Sequence, residues 1–149
     1  MLSPQEIVMK VIWPLENFVL SRGISIHLLS KLHEGFDIVG DQSIYELVLF
    51  NLVQNSTKFN KPNLGHIVIT LEIKPLKDDS DAQNEHKTYI LQTQVIDIGN
   101  GIEKERHNLL FEPLNEIRQS VGAKRSNNAN IGLGLSCSKA LCKKMGGGI

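Results

Sequence analysis

N-L-V-Q-N-S-T-K-F, from Asn51 to Phe59, is the stretch that decides how the rest of this chain is read. It closes a run from Gln42 to about Asn60 with helical spacing of apolar residues, and Asp41 in front supplies a capping side chain. The segment Leu47 to Phe50 is apolar all round, which predicts burial on more than one side. Pro62 and Gly65 are read as the stop. Within this helix Asn51, Asn55 and Lys58 stand four and three apart, so at about 100° per residue they share one face.

Outward from that helix the pattern alternates between periods. Toward the N-terminus, Ser3-Pro4-Gln5-Glu6 has the spacing of a capping box with proline at the first helical position. It opens an amphipathic helix carrying Ile7, Val8, Val11, Ile12, Leu15, Phe18 and Val19, bent near Pro14 and ended by Gly23. Ile24, Ile26 and Leu28 then alternate as a strand, and Phe36 to Val39 reads as a second strand paired with it. Toward the C-terminus, Ile67, Ile69, Leu71 and Ile73 form one alternating run, and Leu91, Thr93 and Val95 another, with Ile90, Ile96 and Ile98 on its other face. Lys77 to His86 is a solvated loop between them, Gly99 to Gly101 a turn, and Glu103 to Leu110 a short helix. Asn115 to Asn130 reads as a lid-like loop, and the last helix opens near Gly132 or Gly134 and stops at Gly146. This order predicts an α+β sandwich with helices on one face of a sheet, in one domain spanning residues 1–149.

Composition narrows the possibilities. Sixteen Lys plus Arg balance sixteen Asp plus Glu, so no basic field exists to attract nucleic acid or an anionic membrane. No apolar run reaches the roughly 20 residues that a membrane-crossing helix needs. A cytoplasmic segment is expected, with no membrane contact of its own, although a larger parent protein has room for an anchor. Cys137 and Cys142 stand five apart in a helix and fit neither a disulfide framework nor a zinc site, so they read as buried thiols.

Three constellations carry chemistry. A carboxamide oxygen on the asparagine helix is a hard, neutral ligand suited to Mg²⁺, and the neighbouring Lys58 ammonium can neutralise phosphate. The same residues can equally cap or bridge backbone groups in a core. Asp97-Ile98-Gly99-Asn100-Gly101-Ile102 follows a predicted strand; its carboxylate can accept from an amino group such as that of adenine, or simply close a turn. Ile131-Gly132-Leu133-Gly134-Leu135 opens the last helix, where amides and dipole suit a phosphate, though such glycines also occur without a ligand.

Taken in order, these residues resemble the ATP-binding domain shared by sensor histidine kinases, Hsp90-type chaperones, type II topoisomerases and MutL-type repair proteins. Asn51 to Phe59 resembles the histidine-kinase N box, Asp97 to Ile102 the first glycine box, Phe111-Glu112-Pro113-Leu114 the phenylalanine box, and Asn130 to Ser136 the second glycine box. The resemblance implies the Bergerat fold, a two-layer sandwich with helices on one face of a mixed sheet, and ATP with Mg²⁺ as cofactors. It implies that Asn55 ligates Mg²⁺, that Asn51 and Lys58 support the phosphates, and that Asp97 accepts from the adenine amino group. Gly99 and Gly101 would shape the adenine pocket, Phe111 would anchor the lid, and Gly132 and Gly134 would border the phosphates, with Phe59, Ile102, Leu133 and Leu135 also among the nucleotide-binding residues. Lid cations Arg118, Lys124 and Arg125 are in reach of the γ-phosphate, with no motif choosing among them.

Position 51 discriminates within the superfamily. Branches that hydrolyse ATP carry there a glutamate that activates water, and Asn51 cannot accept a proton in that way. The resemblance therefore implies transfer of the γ-phosphoryl group to a histidine, supplied by a dimerisation domain in cis or in trans and read by a receiver downstream. His33-Glu34 has the letters of an acceptor motif but lies between two predicted strands, where it reads as a turn histidine. The chain ends at Gly146-Gly147-Gly148-Ile149, where family members continue into further strands, so a sheet truncated at its C-terminal strands is expected. A chaperone-type or repair-type ATPase and a degenerate, non-catalytic nucleotide-binding domain are the competing classes.

Overall fold

The structure, a computed structural model, describes residues 3–32, 40–75, 89–112 and 133–149. Helix α1 spans Pro4–Ser21, and its entry is fixed by the expected box: the Glu6 amide donates to Ser3 Oγ while the Ser3 amide donates to Glu6 Oε2 at 2.7 Å. The helix continues through Pro14, which lacks an N–H for the Lys10 carbonyl but does not end the element. Gly23 then turns the chain with φ +64, and a Cβ there would lie 2.7 Å from the Asn63 Cα, so both backbone and neighbour require glycine.

Strand β1, Ile24–Ser30, runs parallel to β2, Gly65–Pro75, with Ile26 opposite Ile67. A parallel pair needs a crossover, and helix α2, Gln42–Phe59, lies on that connection. Strand β3, Tyr89–Asp97, is antiparallel to β2, with Ile69 opposite Val95. The sheet is therefore mixed, in the order β1-β2-β3, and helices cover one of its faces. Ile67, Ile69 and Leu71 point to that face and are wholly buried among Val8, Val19, Leu49 and Val53. On the opposite face Ile90 and Ile96 are exposed beside Gln92 and Gln94. A 3₁₀ turn, Lys104–Leu109, and helix α3, Gly134–Lys144, complete the described elements, and α3 packs on α2. The expected α+β layering is what the chain adopts.

Several local readings change. β1 pairs with β2, and residues 36–39, the partner expected for it, lie outside the described residues, as does the expected lid. Gly65 does not stop α2 but begins β2; the helix ends at Phe59, and Asn60 turns the chain by donating from Nδ2 to the His66 carbonyl. Leu47 is half exposed although Val48 and Leu49 are buried, because α1, the sheet and α3 together leave one side of α2 open. Cys142 is buried, which pushes its thiol up, but Cys137 is exposed on the other side of α3. Among the described residues no helix is long and apolar enough to cross a membrane.

Helix α2 is tied to β3 by the Tyr45 hydroxyl, which pairs with Thr93 Oγ1 at 2.7 Å. Burial raises the Tyr45 phenol above its ordinary value and outweighs the Thr93 bond, which acts the other way. The folded chain thus holds this proton more tightly than the unfolded one. Its contribution is whole below the unfolded value of 10.0 and is lost as pH rises through the higher folded value. The urea midpoint is expected to fall as pH passes from about 9 to about 11, and to fall less in Tyr45→Phe. An unchanged alkaline slope in that variant would contradict this.

Candidate nucleotide site

The described site residues gather where α2, the end of β3 and the start of α3 meet. The face of α2 that carries Asn51, Asn55 and Lys58 is half-buried, unlike the exposed Gln54 between them. Asn51 Nδ2 donates to Ser138 Oγ at 3.3 Å and approaches the Gly134 carbonyl oxygen at 3.5 Å, so the asparagine helix meets the second glycine box directly. Asn55 makes no hydrogen bond among the described residues, and its carboxamide is half-buried one turn along the same face. The Lys58 ammonium lies over the Phe59 ring, 5.1 Å from its centroid, a cation–π contact that holds this charge at the end of α2.

The turn after β3 is seated against that same end. A Cβ on Gly99 would lie 2.6 Å from the Phe59 carbonyl oxygen and 2.8 Å from Asp97 Oδ1. Only the missing side chain lets the backbone come this close. The Gly99 amide donates to Asp97 Oδ1 at 2.9 Å, which fixes the carboxylate and leaves Oδ2 without a partner among the described residues. Gly101 adopts φ +67 with open space around it, and Ile102 is exposed next to it. His107 pairs with the Ile102 carbonyl oxygen at 3.0 Å, tying the 3₁₀ turn to the glycine turn.

Phe111 is half-buried, and Lys139 of α3 lies over its ring at 5.3 Å from the centroid. Leu133 is exposed, Gly134 and Leu135 are half-buried at the start of α3, and Gly132 lies outside the described residues together with Arg118, Lys124, Arg125, His33 and Glu34. Sequence reasoning missed two residues that join these parts. Ser138 is fully buried and is the acceptor for Asn51, while Lys139 holds Phe111. The available signal for Ser138 was its place one helical turn after Gly134 on the same face.

The donor set suits a magnesium ion shared with phosphates and not a metal cage of protein ligands. Among the described residues no group of three or more His, Cys, Asp or Glu could hold a metal, whereas Asn55 offers one neutral oxygen of the kind Mg²⁺ accepts alongside phosphate and water.

The family described as histidine kinase-, DNA gyrase B- and HSP90-like ATPase matches residues 40–149. Hybrid signal transduction histidine kinase B of Dictyostelium discoideum is 36% identical over 131 residues, which is 88% of this chain and 6% of that protein. The chain thus spans a small part of that relative's length. In solved structures, the nucleotide-free catalytic domain of histidine kinase ThkA is similar with a TM-score of 0.70 at 20% identity, over 97% of this chain and 79% of that one. Full-length ShkA in complex with AMPPNP has the same TM-score at 17% identity, over 97% of this chain and 26% of that one. The same order of boxes, the meeting of α2, α3 and the β3 turn, and the match over residues 40–149 together mean that the chain belongs to the histidine kinase-, DNA gyrase B- and HSP90-like ATPase family, as an ATP-binding domain of the histidine kinase type.

Proposed function

We propose that residues 1–149 form the Mg²⁺-ATP-binding catalytic unit of a cytoplasmic phosphorelay histidine kinase. The unit transfers the γ-phosphoryl group to a histidine on a dimerisation domain, in cis or in trans, from which a receiver domain takes it. The observation that carries this reading is the convergence on α2: Asn51 touches the start of α3, and the Asp97-Gly99 turn rests on the Phe59 carbonyl. Adenine and phosphate ends are thereby set on one helix.

In this reading Asp97 accepts from the adenine amino group through Oδ2, while the Gly99 amide holds Oδ1 and keeps the carboxylate aimed. Phe59, Gly101 and Ile102 wall the base. Phe111 anchors the lid with Lys139 across its ring. Gly132, Leu133, Gly134 and Leu135 border the phosphates, where the helix dipole of α3 favours anionic charge. Asn55 and Lys58 face the same side, and Mg²⁺ held by Asn55 with the phosphates would neutralise charge that develops on the transferring group.

Position 51 favours transfer over hydrolysis. Its amide has no basic site to take a proton from water, whereas positioning and charge neutralisation suffice for attack by an imidazole nitrogen. Binding of a fluorescent ATP analogue is expected to depend on Mg²⁺ and to weaken about tenfold in both Asn55→Ala and Asp97→Asn, the cost of one charge-assisted contact. Labelled phosphate should then appear on an added histidine-bearing dimerisation domain. Steady phosphate release without that acceptor would favour the ATPase class, and analogue binding indifferent to Mg²⁺ and to both substitutions would sink the proposal.

A further inference from the structure

We infer that Asn51 and Ser138 form a positioning pair that latches the first turns of α3 to α2, and that Asn51 serves the phosphate side of the site through this latch. The inference rests on the nucleotide-site reading above and assigns one of its residues a different task. Ser138 is completely buried, and a buried hydroxyl requires a hydrogen-bond partner. Asn51 Nδ2 provides it at 3.3 Å and reaches the Gly134 carbonyl at 3.5 Å. Both contacts use the amide nitrogen, the end of the side chain that cannot ligate a metal.

The direction of these bonds specifies the residue. The Gly134 carbonyl only accepts, so position 51 must donate. A carboxylate there could accept from the Ser138 hydroxyl but has no proton for that carbonyl and would set an oxygen against it. Asn55, one turn on, has no hydrogen bond among the described residues, so the two asparagines divide their work: one holds the helix, the other remains available to a ligand. The Gly134 Cα itself sits near Asn51, where an added Cβ would make only ordinary contact at 3.8 Å, so the side-chain bonds and not close glycine packing fix the distance between helices. A looser α3 spends less time in the binding-competent position, which lowers affinity for a ligand that needs its N-terminal amides.

A double-mutant cycle on the whole 149-residue chain tests the pair, with Asn51→Ala, Ser138→Ala and both together. Without nucleotide, each single substitution is expected to speed amide hydrogen exchange in α3 about tenfold, and the double substitution to add nothing further. With nucleotide, each is expected to weaken ATP about tenfold and leave adenosine, which has no phosphates, unchanged. Should the alanine unfold the chain, Asn51→Leu takes its place in the cycle. Independent, additive effects on exchange would overturn the latch, and equal losses for ATP and adenosine would overturn its link to the phosphates. If the wild-type chain bound neither ligand, the functional reading would fail, and the exchange cycle alone would still decide the latch.

Discussion

Gly99→Val is expected to weaken ATP-analogue binding about a hundredfold, in line with the ~3 kcal/mol upper end for overpacking a tight contact. The new Cβ would fall 2.6 Å from the Phe59 carbonyl oxygen and 3.2 Å from its carbon. Both are backbone atoms, so no rotamer change relieves the clash. φ at Gly99 lies outside the left-handed region, which makes the objection purely steric. Either the turn or the last residue of α2 must move, and Asp97 moves with the turn because its carboxylate is held by the Gly99 amide. Isothermal titration against Gly101→Ala is the control for space: that position has nothing within 4 Å, and its cost comes from φ +67 alone. Unchanged affinity in Gly99→Val would mean that the turn is not part of the nucleotide site.

Ile69→Ala should cost about 2–5 kcal/mol in urea unfolding. Ile69 lies in the middle of the central strand, fully buried, opposite Leu28 on one side and Val95 on the other. Removal of its branched side chain leaves a void bounded by both neighbouring strands and by helices, none of which can close it without breaking sheet register. A domain whose whole stability is about 5–15 kcal/mol would be left marginal. Val68→Ala, one residue away on the open face, should cost much less, and a similar loss at both positions would contradict the one-sided core.

What the sequence reveals about this fold depends on how far apart the partners are. Ser3 with Glu6, and Asp41 with Ser43 and Ile44, are local, and each cap forms as read. The alternation of Ile67, Ile69 and Leu71 likewise names the buried face, because period two fixes sides without reference to any partner. Pairing is another matter. That β1 lies alongside a strand beginning at Gly65 is not legible in the sequence, since alternation says which face is apolar and not which strand is the neighbour. The apolar run at Leu47 to Phe50 is legible, as the buried face is: burial on more than one side is met by α1, the sheet and α3, and Leu47 alone stays half exposed. At the site, Asn51, Asp97 and Gly99 were legible as chemistry, but Ser138 was not, because a serine acquires meaning there only through Asn51 arriving from another helix.

The Asn51–Ser138 contact also has a kinetic meaning. It joins residues 87 apart, whereas Thr70 and Gln94 in the β2–β3 pair are 24 apart and the β1–β2 pairing spans 41. Loop-closure entropy grows with the logarithm of that separation, so joining α3 to α2 costs about 1 kcal/mol more than zipping the antiparallel strands. The sheet can therefore assemble while α3 is still unattached, and amide hydrogen exchange is expected to be faster in α3 than in the β2–β3 pair.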